Sequence, residues 1–311
     1  MASRGRETSR VSPGPVWAIV VTYNRKDLLR ECLDALLDQT HPPDHVLVVD
    51  NASTDGTLAM VREHYPQFEI LALPENVGCA GGNHAALKKA YEGPAEWFWV
   101  MDDDTIPTPT ALEQLLEALN RLDGLPEPAL LASKVLWTDG TLHRMSLPFV
   151  RWDREDFALE ACERELVPLR ATTYVSMLVK RSAVEKYGVP LAHWFIWGDD
   201  IEYTARILRN EVGYVAPRSV VLHKTKVNYF PAESDSPRFY YDVRNKLFML
   251  RGTAWEPIEK LFIVLWIFRS AGRYLVFNRF RPANVAAVLR GLRDGALQEH
   301  SGPTAVLTRS G

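Results

Sequence analysis

Three consecutive carboxylates, Asp102-Asp103-Asp104, follow directly on the apolar run Trp97-Phe98-Trp99-Val100-Met101. Charges packed this closely repel one another, so the cluster is costly unless something positive lies among them. A divalent cation removes the cost: Mg²⁺ or Mn²⁺ takes carboxylate oxygens and keeps positions open for the oxygens of a substrate diphosphate. The alternative is a solvated acidic turn. A second acidic pair, Asp199-Asp200, follows Trp197-Gly198. Asp199 has the residue type of a helix N-cap, and acidic side chains are favoured in a first helical turn. That leaves the Asp200 carboxylate free beside Trp194, Phe195 and Trp197. Their apolar surface raises its proton affinity and suits it to general-base work. The alternative is that both aspartates serve only the helix start. His223 ends the apolar run Val220-Val221-Leu222. A borderline ion such as Mn²⁺ accepts imidazole nitrogen beside carboxylate oxygen, which makes His223 a candidate third ligand; the alternative is a structural or surface histidine at a strand end.

Two polar stretches are less specific. Asp50-Asn51-Ala52-Ser53-Thr54-Asp55-Gly56-Thr57 is a cluster of turn formers. Asp50 there either binds a ribose hydroxyl or a base N–H, or closes an Asx turn. Asn76-Val77-Gly78-Cys79-Ala80-Gly81-Gly82-Asn83 does not match the G-x-G-x-x-G dinucleotide fingerprint. It either lets backbone approach a nucleotide or sugar closely, or makes a tight turn with close helix packing.

The elements that must position these residues follow from periodicity. Val16 to Thr22, Val46 to Val49, Phe68 to Leu71 and Trp97 to Met101 are apolar runs that read as buried strands. Between them, Lys26 to Asp38 carries one apolar helical face, a short helix runs to about Tyr65, and another runs from about Asn83 to Ala90. This alternation predicts right-handed βαβ units and a mostly parallel sheet flanked by helices. Ligands of such sheets bind beyond the carboxyl ends of the strands, where Thr22 to Arg25, Asp50 to Thr57 and Asp102 to Asp104 would converge. Further on, Thr108-Pro109 opens a helix to about Asn120, Leu131 to Leu136 and Thr172 to Val179 read as strands, and Asp199 caps a helix to about Asn210. Tyr214 to Leu222 reads as strand, turn and strand. From Trp137 to Arg170 no period stands out, and past Pro237 the chain reads as all helical.

The chain has 311 residues, 47% of them hydrophobic, enough for a sizeable core. A net charge of −3 argues against nucleic-acid binding. The three cysteines, Cys32, Cys79 and Cys162, suggest neither a disulfide framework nor a zinc site and fit a reducing cytoplasm. Met1 to Pro15 is polar, with no apolar run of a signal peptide. The run Leu261 to Phe268 is too short to span a bilayer. The arginines and aromatics after it fit either a helix on a membrane surface or one packed on the catalytic domain with snorkelling arginines. These features predict tails at 1–14 and 301–311 and a helical extension at 236–300.

The ordered set Val-Val-Thr-Tyr-Asn-Arg, Val-Val-Asp-Asn-Ala-Ser-Thr-Asp-Gly-Thr, Glu-Asn-Val-Gly-Cys-Ala-Gly-Gly, Asp-Asp-Asp, Trp-Gly-Asp-Asp-Ile-Glu and a late His resembles family 2 glycosyltransferases of the GT-A fold. The triple Asp and Trp-Gly-Asp-Asp-Ile-Glu-Tyr are most similar to the galactofuranosyltransferase and rhamnosyltransferase branch. The resemblance covers about Val16 to Lys226 and implies a nucleotide-binding half at about 15–105 and an acceptor half at about 106–235. It implies that Asp102, Asp103 and Asp104 bind the metal and sugar nucleotide, with His223 completing a metal site of Asp102 and Asp104. It implies Asp200 as catalytic base with Asp199 beside it, and Trp197 and Glu202 on the acceptor. Thr22, Asp50 and Asn51 would hold the nucleotide base, although many members carry Asp where this chain has Asn51. Asn24, Arg25, Asn76, Gly78, Gly81 and Gly82 complete the expected donor site. The implied activity is inverting transfer from a UDP- or dTDP-sugar to a glycan or lipid-linked acceptor, at the cytoplasmic side of the envelope. Two rivals are a catalytically silent sugar-nucleotide-binding subunit and another nucleotide-diphosphate enzyme such as a nucleotidyltransferase.

Overall fold

The computed structural model of the chain describes residues 13–152 and 154–298. The tail expected at 301–311 lies outside the described residues, and of the one at 1–14 only Pro13 and Gly14 are described. The elements run β1 (Val16–Thr22), α1 (Lys26–Leu37), β2 (His45–Asp50), α2 (Thr57–His64), β3 (Glu69–Ala72), α3 (Gly78–Tyr91), β4 (Trp97–Asp102), β5 (Thr105–Pro107), α4 (Ala111–Asn120), β6 (Leu130–Leu136), β7 (Phe149–Val150), α5 (Glu155–Glu163), β8 (Val167–Ala171), β9 (Met177–Lys180), α6 (Arg181–Tyr187), α7 (Asp199–Leu208), β10 (Gly213–His223), α8 (Phe239–Arg251), α9 (Pro257–Phe277) and α10 (Pro282–Leu297).

One sheet runs in the order β3-β2-β1-β4-β9-β6-β10-β8-β7, with β5 on β10. The block β3-β2-β1-β4 is wholly parallel, and β6 and β10 run the same way beyond the antiparallel strand β9. Strand alternation splits the apolar runs between two cores. Ala18, Val20, Trp97, Trp99 and Met101 pack on one face of the sheet, and Ile19, Val21, Phe98 and Val100 on the other. Burial on both faces is why these segments read as unbroken hydrophobic runs. Past β4 the chain turns at Asp103 and Asp104 before β5 begins at Thr105.

Four expectations shift. Helix α3 begins at Gly78, not near Asn83; its opening residues are too small to show an apolar period. The strand expected at 172–179 forms only from Met177, as β9, because β8 ends at Ala171 and residues 174–176 make a helical turn. The turn is pinned by Trp99 Nε1 donating to Ser176 Oγ at 2.9 Å. Residues 213–223 form one strand whose register jumps between Ala216 and Val220. Pro217 lies in the jump and has no N–H for the ladder. Helix α7 is capped by Gly198, with Asp199 its first residue.

Helices α7, α8 and α9 share a cluster of Ile201, Ala205, Phe248, Met249, Ile263 and Ile267. The extension is therefore continuous with the catalytic core. Among the described residues, no helix is long and apolar enough to cross a membrane.

Candidate active site

Asp102, Asp104 and His223 each offer one ligand atom, all within 4.8 Å of one another. Strand β5 brings this about by pairing with β10 so that Thr105 faces His223, which sets the histidine against the end of β4. His223 Nε2 lies 3.0 Å from Asp104 Oδ1. Two carboxylates and an imidazole suit a divalent cation of the Mn²⁺ or Mg²⁺ kind. Compensation for the acidic cluster is shared: the Arg25 guanidinium bonds to Asp104 and lies 3.9 Å from Asp103.

Burial and the Asp104 charge push Asp102 up to about 6 and Asp103 up to about 7. Burial also pushes on Asp104, but the bonds and charges of His223 and Arg25 prevail and hold it down at about 2. His223 is raised, because its bond to Asp104 outweighs the burial that opposes its charge. Asp200 is pushed up to about 7 by burial, with the Asp102 charge adding to it. Asp199 is driven well above the carboxylate range by burial and by Asp200. Its Oδ2 is buried without a hydrogen-bond partner. Asp200 Oδ1 accepts from Ile201 N at 2.8 Å, inside the first turn of α7.

Many of the expected donor contacts are engaged within the protein. Thr22 Oγ1 donates to Asp103 Oδ2 at 2.8 Å, tying the end of β1 to that of β4. Asp50 Oδ1 accepts from Ser53 N at 3.2 Å, three residues on, and so closes the loop after β2. Asn51 uses both ends of its amide, accepting from Val77 N at 2.9 Å and donating to the Gly78 carbonyl at 3.0 Å. An amide can do both where a carboxylate could only accept, which accounts for Asn at this position. Asn24, at φ +53°, accepts from Thr54 N at 2.7 Å and so joins the loops after β1 and β2. Asn76 accepts from Gly78 N at 2.9 Å.

The glycines show close packing. A Cβ at Gly78 would strike the Phe195 carbonyl, one at Gly81 would sit 2.6 Å from Val77, and one at Gly82 would sit 2.5 Å from Val21. On the acceptor side, Glu202 is buried in an ion pair with Arg206 at 3.0 Å, and Trp197 packs on the cluster of Ala232, Phe239, Val243 and Tyr274.

Two groups escaped the sequence. One is α8: Asn245 Nδ2 donates to the carbonyls of Trp194, Ile196 and Trp197, and Arg244 to those of His193 and Trp194. They hold the loop before Asp199-Asp200, where Phe195 and Trp197 sit at φ +66° and +64°. The signal was a polar run, Asp242 to Lys246, in a helix with an apolar face. The other is His143, fully buried, with its ring 4.3 Å from that of His223. It falls where no period was readable.

A β-sheet of this order, with spaced carboxylates at the end of β4, a late histidine beside them and an acidic helix start opposite, defines the GT-A class of sugar-nucleotide transferases. The mannosyltransferase PcManGT from Pyrobaculum calidifontis, solved with GDP-Man and Mn²⁺, superposes with a TM-score of 0.55 at 21% identity, over 92% of this chain and 76% of that one. The chain belongs to glycosyl transferase family 2, whose profile matches residues 17–186. Galactofuranosyltransferase GlfT1 of Mycobacterium tuberculosis is 32% identical over 310 residues, 93% of this chain and 97% of that protein. The N-acetylglucosaminyl-diphospho-decaprenol L-rhamnosyltransferase of the same organism is 26% identical over 233 residues, 66% and 74% of the two chains. The chain thus falls in the galactofuranosyltransferase and rhamnosyltransferase-like branch of the family.

Proposed function

We propose that this protein is a cation-dependent, inverting glycosyltransferase. It moves a hexose, galactofuranose or rhamnose, from a UDP- or dTDP-sugar to a hydroxyl of a glycan or lipid-linked acceptor in cell-envelope polysaccharide synthesis. The carrying observation is the meeting of Asp102, Asp104 and His223 within 4.8 Å of one another. The names of the relatives above support the sugar and the envelope acceptor.

Asp102, Asp104 and His223 hold Mn²⁺ or Mg²⁺, which supplies positive charge as negative charge grows on the departing diphosphate. Arg25 meets donor phosphate charge as well. Thr22, Asp50 and the loops stitched by Asn24, Asn51 and Asn76 form the nucleotide side, with Asp103 fixing their register. The starts of α3 at Gly78, Gly81 and Gly82 and of α7 face each other through Phe195. Asp200 takes the proton of an acceptor hydroxyl. The freed oxygen attacks the anomeric carbon, the bond from that carbon to the diphosphate breaks on the opposite face, and the nucleoside diphosphate leaves. Asp199, Trp197 and Glu202 shape the acceptor side. Asp200→Asn should cost about 10²- to 10⁴-fold in turnover. It should leave the thermal shift caused by donor plus Mn²⁺ unchanged. Near-normal turnover removes Asp200 as base, and a product that retains the donor's anomeric configuration removes the single displacement.

The extension carries the acceptor side further. Helix α9 turns Ile258, Leu261, Phe262, Leu265 and Phe268 outward, the last 73% exposed, while Ile263, Ile267 and Tyr274 face the core. Residues 257–298 hold seven basic and two acidic side chains in a chain of net charge −3. An exposed apolar face in a segment rich in cations suits the surface of an anionic bilayer, where a lipid-linked acceptor resides. On this reading the enzyme works as a peripheral protein on the cytoplasmic leaflet.

A further inference from the structure

Behind His223 runs a line of side chains, buried at Ser146 and His143 and half-buried at Thr225. Ser146 Oγ lies 3.3 Å from His223 Nδ1, His143 Nδ1 lies 3.0 Å from Ser146 Oγ, and His143 Nε2 lies 2.9 Å from Thr225 Oγ1. The line ends on a backbone group: the Thr225 hydroxyl donates to the Val227 carbonyl at 3.2 Å. His143 is 0% and Ser146 4% exposed. Long-range bonds keep the two strips of chain together. Trp137 Nε1 donates to the Thr225 carbonyl at 2.9 Å, and Arg144 N donates to Asn228 Oδ1 at 2.8 Å.

The terminus sets the direction of the whole line. A carbonyl oxygen can only accept, so it takes the single hydroxyl hydrogen of Thr225. Thr225 Oγ1 must then accept from His143, which places the His143 hydrogen on Nε2. Neutral His143 is left with a lone pair on Nδ1, and that lone pair takes the Ser146 hydrogen. Ser146 Oγ, its hydrogen spent, accepts from His223 Nδ1–H. The remaining ring nitrogen of His223, Nε2, is the one that faces Asp104. Run the other way, the line would put the ring hydrogen of neutral His223 on Nε2 and close it to a cation. A histidine ligand whose far nitrogen is tied down is held in both tautomer and ring plane.

We propose that Ser146 and His143, anchored through Thr225, are positioning residues that fix His223 as its Nδ1–H tautomer and aim the Nε2 lone pair at the cation held with Asp102 and Asp104. The proposal rests on the cation-site reading above, and the tests separate the two.

The first measurement needs neither metal nor activity. The imidazole ¹⁵N spectrum of the wild-type protein should show His143 as the Nε2–H tautomer; the Nδ1–H tautomer reverses the line and overturns the proposal. The second is a calorimetric titration with Mn²⁺ alone. Ser146→Ala should weaken Mn²⁺ binding about 10- to 100-fold, the range seen when partners of metal ligands are removed. Ser146→Thr keeps the hydroxyl and should restore most of the affinity. A Ser146→Ala protein that melts like wild type in chelator and binds Mn²⁺ equally well overturns the positioning role and leaves the cation site standing. A wild-type protein that binds no Mn²⁺ overturns the cation site, and the positioning role with it. Should Ser146→Ala fail to fold, the ¹⁵N spectrum of the wild type decides.

Discussion

Asp102, Asp103 and Asp200 keep their protons to about pH 6 to 7 because burial disfavours the charged form and neighbouring carboxylates add to it. Their folded values lie above the unfolded ones, so the folded state binds more protons between about pH 4 and 7. Stability from these groups is therefore complete below about pH 4 and is lost as the pH rises through 6 and 7. A cation among the carboxylates reverses the loss. Mn²⁺ should accordingly raise the melting temperature more at about pH 8 than at about pH 5.5, since protons compete with it at the lower pH. Equal shifts at both would mean that the cation binds elsewhere. The same values bear on turnover, because Asp200 accepts a proton only once it has lost its own.

Among the elements, those whose burial is written into an unbroken apolar run were legible. β1, β2 and β4 and the polar ends that follow them could be read because a strand buried on both faces leaves no other pattern. The start of α3 could not, because Gly78 to Gly82 owe their types to contacts with Val21, Val77 and Phe195, which lie far apart in the chain. His143 and Ser146 were invisible for a related reason: their partners are residues 223–228, reached only through the fold. His223 could be offered to Asp102 and Asp104 from sequence by ligand chemistry and by the resemblance but not by spacing, since about 120 residues separate them and such a length carries no geometry. Helix α8 matters most here. Asn245 and Arg244 restrain a loop with two non-glycine residues at positive φ, a conformation that persists only when its surroundings insist on it. Asn245→Ala should leave donor and Mn²⁺ binding intact while raising the acceptor KM and lowering kcat by about tenfold or more. Steady-state kinetics that match wild type for both parameters would show that the loop holds itself.

At the scale of the molecule, α9 leaves large side chains such as Phe262 and Phe268 facing water on a helix whose inner face is already filled. Vesicles of phosphatidylcholine with phosphatidylglycerol should sediment the protein, and vesicles of phosphatidylcholine alone should do so far less. Phe262→Glu with Phe268→Glu should abolish sedimentation and spare transfer to a water-soluble acceptor. Concentration-dependent dimers with no vesicle binding would instead assign the face to a second copy of the chain. The bonds from α8 to the carbonyls of 193–197 also bear on recombination between homologues. A graft with its crossover near residue 236, where the chain turns wholly helical, would part the Asp199-Asp200 loop from its own brace and leave the sheet paired with a foreign clasp. Exchange of acceptor preference between such enzymes therefore calls for moving both pieces as one cassette.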